Sequence, residues 1–396
     1  MRIAMVQDDW WPRTGGGPVH VRELSVALAE TFNYEIDIYT RALRSDETSH
    51  TTHESYAGGK VSVKRLQPCT EYWNATGRVA SMVTPVPRLL GKRYDIVHGH
   101  TFLPALPTRL AGFATDVATV FTVHGTALTS GVGHDTGVLA GVKRRLERLF
   151  VLGFDYDGVI SVNTEHLPLL ERTHDRVAYI PNGVDLDRFA VDRERTSGRI
   201  LFLGRLAPKK RVSDLIEAFA QVAPECPDSE LVIVGVGPLK DDLERRVDRI
   251  DLNSRVRFEG RVPDDAIPEY YASASVFVLP SVWEGHPLTL LEAWAAGTPV
   301  IATDVEGIAE FVTHEETGYL VPPESPDALA DALRYALEHE SRTRTWGQRG
   351  RVLAAEEFSW EGVARRTDVL YRKAVGERKA GSSHDFSESG DASFPL

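Results

Sequence analysis

The chain has 396 residues, of which 42% are hydrophobic and 26% charged, and its formal net charge is -12 at pH 7. That composition is globular, leaves room for two cores of ordinary size, and excludes a disordered chain and a general nucleic-acid binder. Two cysteines far apart, Cys69 and Cys226, exclude a disulfide framework and a cysteine-built metal site, and no run of about 18 apolar residues is present to span a membrane.

Short β-branched runs at 3–6, 95–97, 120–123, 159–162 and 177–180 alternate with longer helix-like stretches, which predicts parallel sheets with helices on both faces. Asp8 and Asp9 follow the first run where a signal peptide needs an apolar core, so a cytoplasmic location is expected. A polar stretch at 192–198 reads as a linker, and a second series of strand-like runs follows at 200–203, 231–234, 256–258, 276–279 and 300–302. The expected architecture is α/β: two doubly wound parallel-sheet domains, residues 1–192 and 193–355, with ligands beyond the carboxyl ends of the strands and, if the sheets face, in a cleft. Trp360, Val363, Ala364, Val369, Leu370 and Tyr371 predict a terminal helix over 356–375, and the Ser-, Gly- and Asp-rich residues 376–396 predict a disordered tail.

In chain order, the first motif is Gly15-Gly16-Gly17 after the first strand. Glycines let a backbone approach phosphate, but the third position of a dinucleotide fingerprint is His20 here, and Lys240 after Gly235-Val236-Gly237, so a dehydrogenase is disfavoured. His98 and His100 are spaced like a metal pair without an evident third ligand, and no metal is assigned to them. His124-Gly125-Thr126 ends a strand where it can enter a shared cleft. The run 141–153 interleaves Lys143, Arg144, Arg145 and Arg148 with apolar residues. It reads as a solvated helix face over a core stripe, with peripheral contact to an anionic membrane as the second reading. Asp155-Tyr156-Asp157 and Asp185-Leu186-Asp187 read as turn and cap acids, so activity independent of a chelatable metal is expected.

The second series carries the chemistry. Gly204-Arg205 at a strand end, followed by Lys209-Lys210-Arg211, offers cations for two phosphates. Glu284-Gly285-His286-Pro287-Leu288-Thr289-Leu290-Leu291-Glu292 joins a strand to a helix, with Pro287 at the expected first helical position. The amides of Leu288 and Thr289 then point out of a positive helix end, and Glu292 faces the same side as Leu288 one turn on. A loop acid, a helix tip and a second acid can hold a sugar hydroxyl, a diphosphate and a ribose, which is the layout of a nucleotide-sugar site.

Taken together, these residues resemble the retaining glycosyltransferases of family 4, which have the two-domain GT-B fold. The resemblance also takes in Asp95-Ile96-Val97-His98, Ile180-Pro181-Asn182-Gly183-Val184-Asp185, Ala296-Gly297-Thr298-Pro299-Val300-Ile301-Ala302 and Glu316-Thr317-Gly318-Tyr319-Leu320-Val321, in order along nearly the whole chain. It implies that Gly16 or Gly17 lies near the diphosphate, with Gly237 among the donor-binding glycines, and that His124 lies near the donor sugar. It also implies that Arg205 and Lys210 hold the diphosphate, Glu284 the sugar hydroxyls, Leu288 and Thr289 the phosphate, Glu292 the ribose, and that Arg261 and Val262 sit by the base. His286 is counted with the donor-binding residues, but His286-Pro287 stands where many members have an aromatic residue and glycine, so the donor sugar is not carried over. The terminal helix is expected to cross back onto the first domain. The implied reaction moves a sugar from a nucleotide-diphosphate sugar to a hydroxyl acceptor, either a glycan, a lipid-linked sugar or a lipid, with retention of configuration and without a cofactor. The alternatives are an epimerase of the same fold and a non-catalytic nucleotide-sugar binding protein.

Overall fold

A computed structural model describes residues 1–10, 15–43, 53–71, 74–125 and 138–388. The chain divides into two compact units: Met1–Pro181 together with Trp360–Leu396, and Asn182–Ser359.

Among the described residues, the first unit is built on an eight-stranded sheet of order β3-β4-β2-β1-β5-β6-β7-β8. The strands are β1 (Arg2–Gln7), β2 (Glu35–Leu43), β3 (His53–Tyr56), β4 (Val61–Thr70), β5 (Ile96–His100), β6 (Ala118–Val123), β7 (Gly158–Ser161) and β8 (Val177–Tyr179). Every pairing is parallel except that of β3 with β4, and in the centre Ile3 lies opposite Ile36 on one side and Ile96 on the other. Parallel strands need crossovers, and these cover both faces of the sheet, so β5 and β6 are buried along their whole length.

The five runs expected as strands in this half are present, whereas β2, β3 and β4 went unread. β2 looks half-polar, with Asp37, Thr40 and Arg41 among its residues, yet all three are buried. The sheet accepts them because each charge is met: Asp37 takes hydrogen bonds from Tyr94 Oη at 2.6 Å and Lys92 Nζ at 2.9 Å, and Arg41 lies 3.7 Å from Asp8.

The second unit holds a six-stranded parallel sheet of order β11-β10-β9-β12-β13-β14 among the described residues. Its strands are β9 (Arg199–Leu203), β10 (Glu230–Val234), β11 (Val256–Gly260), β12 (Val276–Leu279), β13 (Val300–Thr303) and β14 (Tyr319–Val321). One face is covered by the helices Val212–Val222 and Pro326–Glu338, whose Leu215, Phe219 and Leu333 are fully buried. The other face carries the helix Leu288–Ala295, with Trp294 fully buried and its indole N–H donated to the Thr317 carbonyl at 2.9 Å. That bond fixes the rotation of the helix whose first residues form the candidate site.

Two expectations about boundaries are corrected. The division falls after Pro181 rather than at 192, because the intervening residues are anchored in the second unit. Asn182 Nδ2 donates to the His286 carbonyl at 2.7 Å, the Val184 amide donates to the Phe358 carbonyl at 2.7 Å, and Phe189 packs on Tyr271. The terminal helix spans Trp360–Glu388, not 356–375, so the tail expected from residue 376 is helical to Glu388. No proline interrupts that stretch before Pro395, and Arg378 ties it to Asp157 and to the Gly112 carbonyl. Residues 389–396 lie outside the described residues.

The terminal helix packs on the helix Gly16–Phe32 and belongs to the first unit, as the crossing-back expectation requires. Tyr371 is fully buried with its hydroxyl 2.6 Å from His98 Nδ1, and Tyr34 Oη donates to Asp368 at 2.5 Å. Tyr371→Ala leaves a cavity and strips His98 of a partner. The expected cost is about 3 to 5 kcal/mol, read by denaturant unfolding as a loss confined to the first unit.

Candidate active site

The carboxyl ends of β9, β12 and β13, three neighbours in the second sheet, meet at Glu284. Pro280 stops β12, and the chain turns so that Ser281 Oγ donates to Glu284 Oε1 at 2.6 Å. Thr303, the last residue of β13, donates its hydroxyl to the Ser281 carbonyl. From the β9 side, Lys210 closes the short turn Pro208–Lys210 and its ammonium pairs with Glu284 Oε1. The two loops are joined twice more: the Val282 amide donates to the Lys209 carbonyl at 2.9 Å, and Lys209 Nζ stands 4.8 Å from the Trp283 ring centre. Glu284 is only 6% exposed. Burial pushes its carboxyl up, but the Lys210 and Lys209 charges and the Lys210 and Ser281 hydrogen bonds outweigh that and hold it below the usual carboxylate range. The site therefore presents an ionised acceptor beside a localised cation.

The helix that follows begins at Leu288, with Pro287 as its N-cap rather than its first helical residue. Proline there leaves its carbonyl free to accept, and the Leu290 amide takes it at 3.2 Å. The amides of Leu288 and Thr289 find no acceptor among the described residues, so they remain directed out of the positive helix end as expected. Glu292, half-buried one turn later, accepts from Tyr271 Oη at 2.9 Å, which sets its carboxylate before any ligand arrives. His286 lies in the same loop, its ring buried against Phe311 and Phe358 with centroids 4.8 and 5.4 Å away.

Arg205 is exposed just beyond β9, and Arg261 and Val262 follow β11, the arginine exposed and the valine packed on the core. Gly237 serves the Arg205 loop through close approach. A Cβ at Gly237 would sit 2.2 Å from the Leu206 carbonyl oxygen, and the Leu206 amide donates to the Val236 carbonyl at 3.0 Å. In the first unit, Gly16 opens the helix Gly16–Phe32, and Gly17 lies close enough to Gln7 that a Cβ would come 3.1 Å from its side-chain nitrogen.

The same helix places His20, buried, beside His100 and His124 from the ends of β5 and β6. His100 Nδ1 lies 3.2 Å from His124 Nε2, and the His20 and His124 ring centres are 4.6 Å apart. Burial and the neighbouring imidazoles push His100 and His124 well below the usual histidine range, so both are neutral. The His98 ring lies 4.0 Å from that of His100 between centroids, but both its nitrogens are engaged, Nδ1 by Tyr371 and Nε2 by Thr122 Oγ1 at 2.7 Å. Of the two Asp-x-Asp strings, the second caps a helix, Asp185 accepting from the Arg188 amide at 3.0 Å, whereas in the first Asp157 accepts from the Thr119 amide of β6 at 2.7 Å, a contact between distant segments and not a cap. In the basic helix, Val138–Leu152, Phe150 and Val151 are buried while Leu146 and Leu149 are exposed beside Arg145 and Arg148.

Sequence reasoning missed Ser281, the side-chain role of Asn182, and Gly307. Gly307 has φ +78, and a Cβ there would lie 2.3 Å from the Glu284 carbonyl oxygen and 2.4 Å from that of Gly285. The only hint was a glycine soon after the end of a strand. Gly307→Ala is expected to cost roughly 1 to 3 kcal/mol in backbone strain and to displace the Glu284 loop, read as lost stability of the second unit by denaturant unfolding. Because the folded carboxyl of Glu284 titrates below its unfolded value, its contribution to stability is full above the ordinary glutamate range and is lost as pH falls through the lower, folded value. Unfolding measured against pH should show that acid-side loss, and Glu284→Gln should remove that component.

Comparison with known proteins gives the family and the fold. The family model for Glycosyltransferase Family 4 matches residues 14–188 and that for Glycosyl transferases group 1 matches 184–353. Glycogen synthase of Mycobacterium tuberculosis is 29% identical over 402 residues, with 96% of each chain covered. D-inositol 3-phosphate glycosyltransferase of Corynebacterium glutamicum is 28% identical, covering 97% of this chain and 100% of the relative. Among solved structures, sucrose-phosphate synthase from Thermosynechococcus elongatus superposes with a TM-score of 0.82 at 26% identity, covering 95% of this chain and 99% of the other. The chain belongs to glycosyltransferase family 4, with the GT-B fold.

Proposed function

We propose that this glycosyltransferase takes a hexosyl group from a nucleotide-diphosphate sugar and passes it to a hydroxyl acceptor with retention of anomeric configuration, without a metal in the transfer step. The observation that carries the reading is the buried Lys210–Glu284–Ser281 cluster at the strand ends, followed directly by the open amides of Leu288 and Thr289. The cation and the amides suit a departing diphosphate, and the carboxylates of Glu284 and Glu292 suit sugar and ribose hydroxyls.

In this scheme the bond between the anomeric carbon and phosphate breaks, and its electron pair leaves with the nucleoside diphosphate. The acceptor oxygen bonds to the same face of that carbon, and its proton passes to a leaving-phosphate oxygen. Negative charge grows on the diphosphate as the bond opens. Arg205, Lys210 and the helix tip are the groups assigned to stabilise it, and Lys210 is held in place beforehand by its ion pair. Glu284, kept ionised, would accept hydrogen bonds from the sugar; His124 is assigned to the donor sugar and Arg261 to the base. The relatives are named for glycogen, D-inositol 3-phosphate and sucrose phosphate, all hydroxyl compounds, which supports a hydroxyl acceptor. Anabaena HepE, which shares only the fold at 18% identity, is known in complex with UDP-glucose, making that sugar the first donor to try.

Lys210→Ala and Arg205→Ala are each expected to lower kcat roughly 100- to 1000-fold, the usual loss when one preset donor to a developing anion is removed. Near-normal turnover in both would refute the assignment. NMR of the product made from an α-linked donor should give the small anomeric coupling constant of an α-glycoside, and a large one would refute retention. Transfer should persist in EDTA.

A further inference from the structure

The first unit contains a cluster that the transfer reaction leaves largely unused. His20 on the helix Gly16–Phe32, His100 at the end of β5 and His124 just beyond β6 each turn one ring nitrogen inward, and these three atoms lie within 4.8 Å of one another. Spacing alone hid the set, since the three residues are scattered over more than a hundred positions and the adjacent-looking partner, His98, is engaged by Tyr371 and Thr122. We propose that His20, His100 and His124 form a binding site for a zinc-class divalent transition-metal ion.

The dimensions fit that chemistry. Two imidazole nitrogens bound to one tetrahedral zinc at about 2.0 to 2.1 Å lie roughly 3.3 to 3.4 Å apart. His100 Nδ1 and His124 Nε2 share a hydrogen bond at 3.2 Å, close to the spacing of two zinc-bound nitrogens, and an ion would take the place of that hydrogen bond once both rings turn toward it. His20 packs edge-on to His124, at 4.6 Å between ring centres, and closes the third side by rotation of its ring. Imidazole is a suitable ligand for zinc, nickel and copper. The thioether of Met5, 3.4 Å from His100 Nε2, adds a soft neighbour behind the site.

Burial supplies the remaining requirements. His20 and His100 are almost wholly enclosed, which keeps competing water away from them, while His124 is half-buried and leaves an approach for the ion and for a water as fourth ligand. Three histidines with an open position make a closed structural site unsuitable and an exchangeable one suitable. The ion would cross-link one helix to two strand ends and stabilise the first unit by mass action. It would also remove His124 Nε2 from other contacts, so bound ion should inhibit transfer. That consequence, unlike the site itself, rests on the donor-sugar role proposed for His124.

The test is a zinc titration of the full, chelator-stripped chain against a chromophoric zinc indicator, with His20→Ala, His100→Ala and the exposed-residue control His339→Ala beside it. One equivalent is expected in the parent and in the control, with affinity at least about tenfold weaker in each cluster variant, since losing even an outer-shell partner costs that much. Cobalt titrated into the unaltered protein should give the intense visible bands of tetrahedral coordination, a readout that survives if a variant fails to fold. Absence of a stoichiometric site, equal affinity in folded cluster variants, or the weak spectrum of octahedral cobalt overturns the proposal. Zinc that binds without slowing transfer keeps the site and removes the role of His124; a large loss of transfer in His124→Ala with no zinc bound does the reverse.

Discussion

The contact on which the layout of the second unit's candidate site depends is the enclosed ion pair of Lys210 with Glu284. Loss of water at that depth disfavours an isolated carboxylate, and the neighbouring cations offset this for Glu284. Together, with Ser281 completing the carboxylate's hydrogen bonds, they keep both charges at fixed places. The pair also spans two loops from adjacent strands, so it links the position of the cation to the entry of the helix Leu288–Ala295. Stability and the arrangement of the candidate site therefore share one interaction.

The surroundings reinforce that link with ordinary packing. Trp294 locks the helix through the Thr317 carbonyl, Tyr271 orients Glu292, and Asn182 ties the start of the unit to the His286 carbonyl. Gly307 lets a neighbouring turn lie against the Glu284 loop at a distance no side chain would permit. None of these groups needs to meet a substrate to matter. Each removes a degree of freedom from a group that has been assigned to do so, which is how preset electrostatics avoid reorganisation.

Much of this was legible in the sequence because the site sits where a short, wholly apolar strand run gives way to a helical pattern. The run Val276-Phe277-Val278-Leu279, its closure by Pro280, and the acids of the following loop and helix are local signals, and they placed Glu284, Leu288, Thr289 and Glu292 on the right elements. What escaped was set by tertiary contact. β2 reads as polar because its charges are paired with Tyr94, Lys92 and Asp8, residues distant in the chain. His286 reads as a loop histidine but stacks on Phe311 and Phe358, and the grouping of His20 with His100 and His124 exists only once three elements converge.

The terminal helix carries a consequence for the order of biosynthesis. The second unit is one uninterrupted segment, Asn182–Ser359, whereas the first is completed by residues that come after it. On the ribosome, the later-encoded sheet can therefore close while the earlier one still lacks Tyr371 and Asp368 to cover His98 and Tyr34. The half of the protein made first must wait for the terminal helix to become native, and until then the apolar surface that helix covers stays open to water.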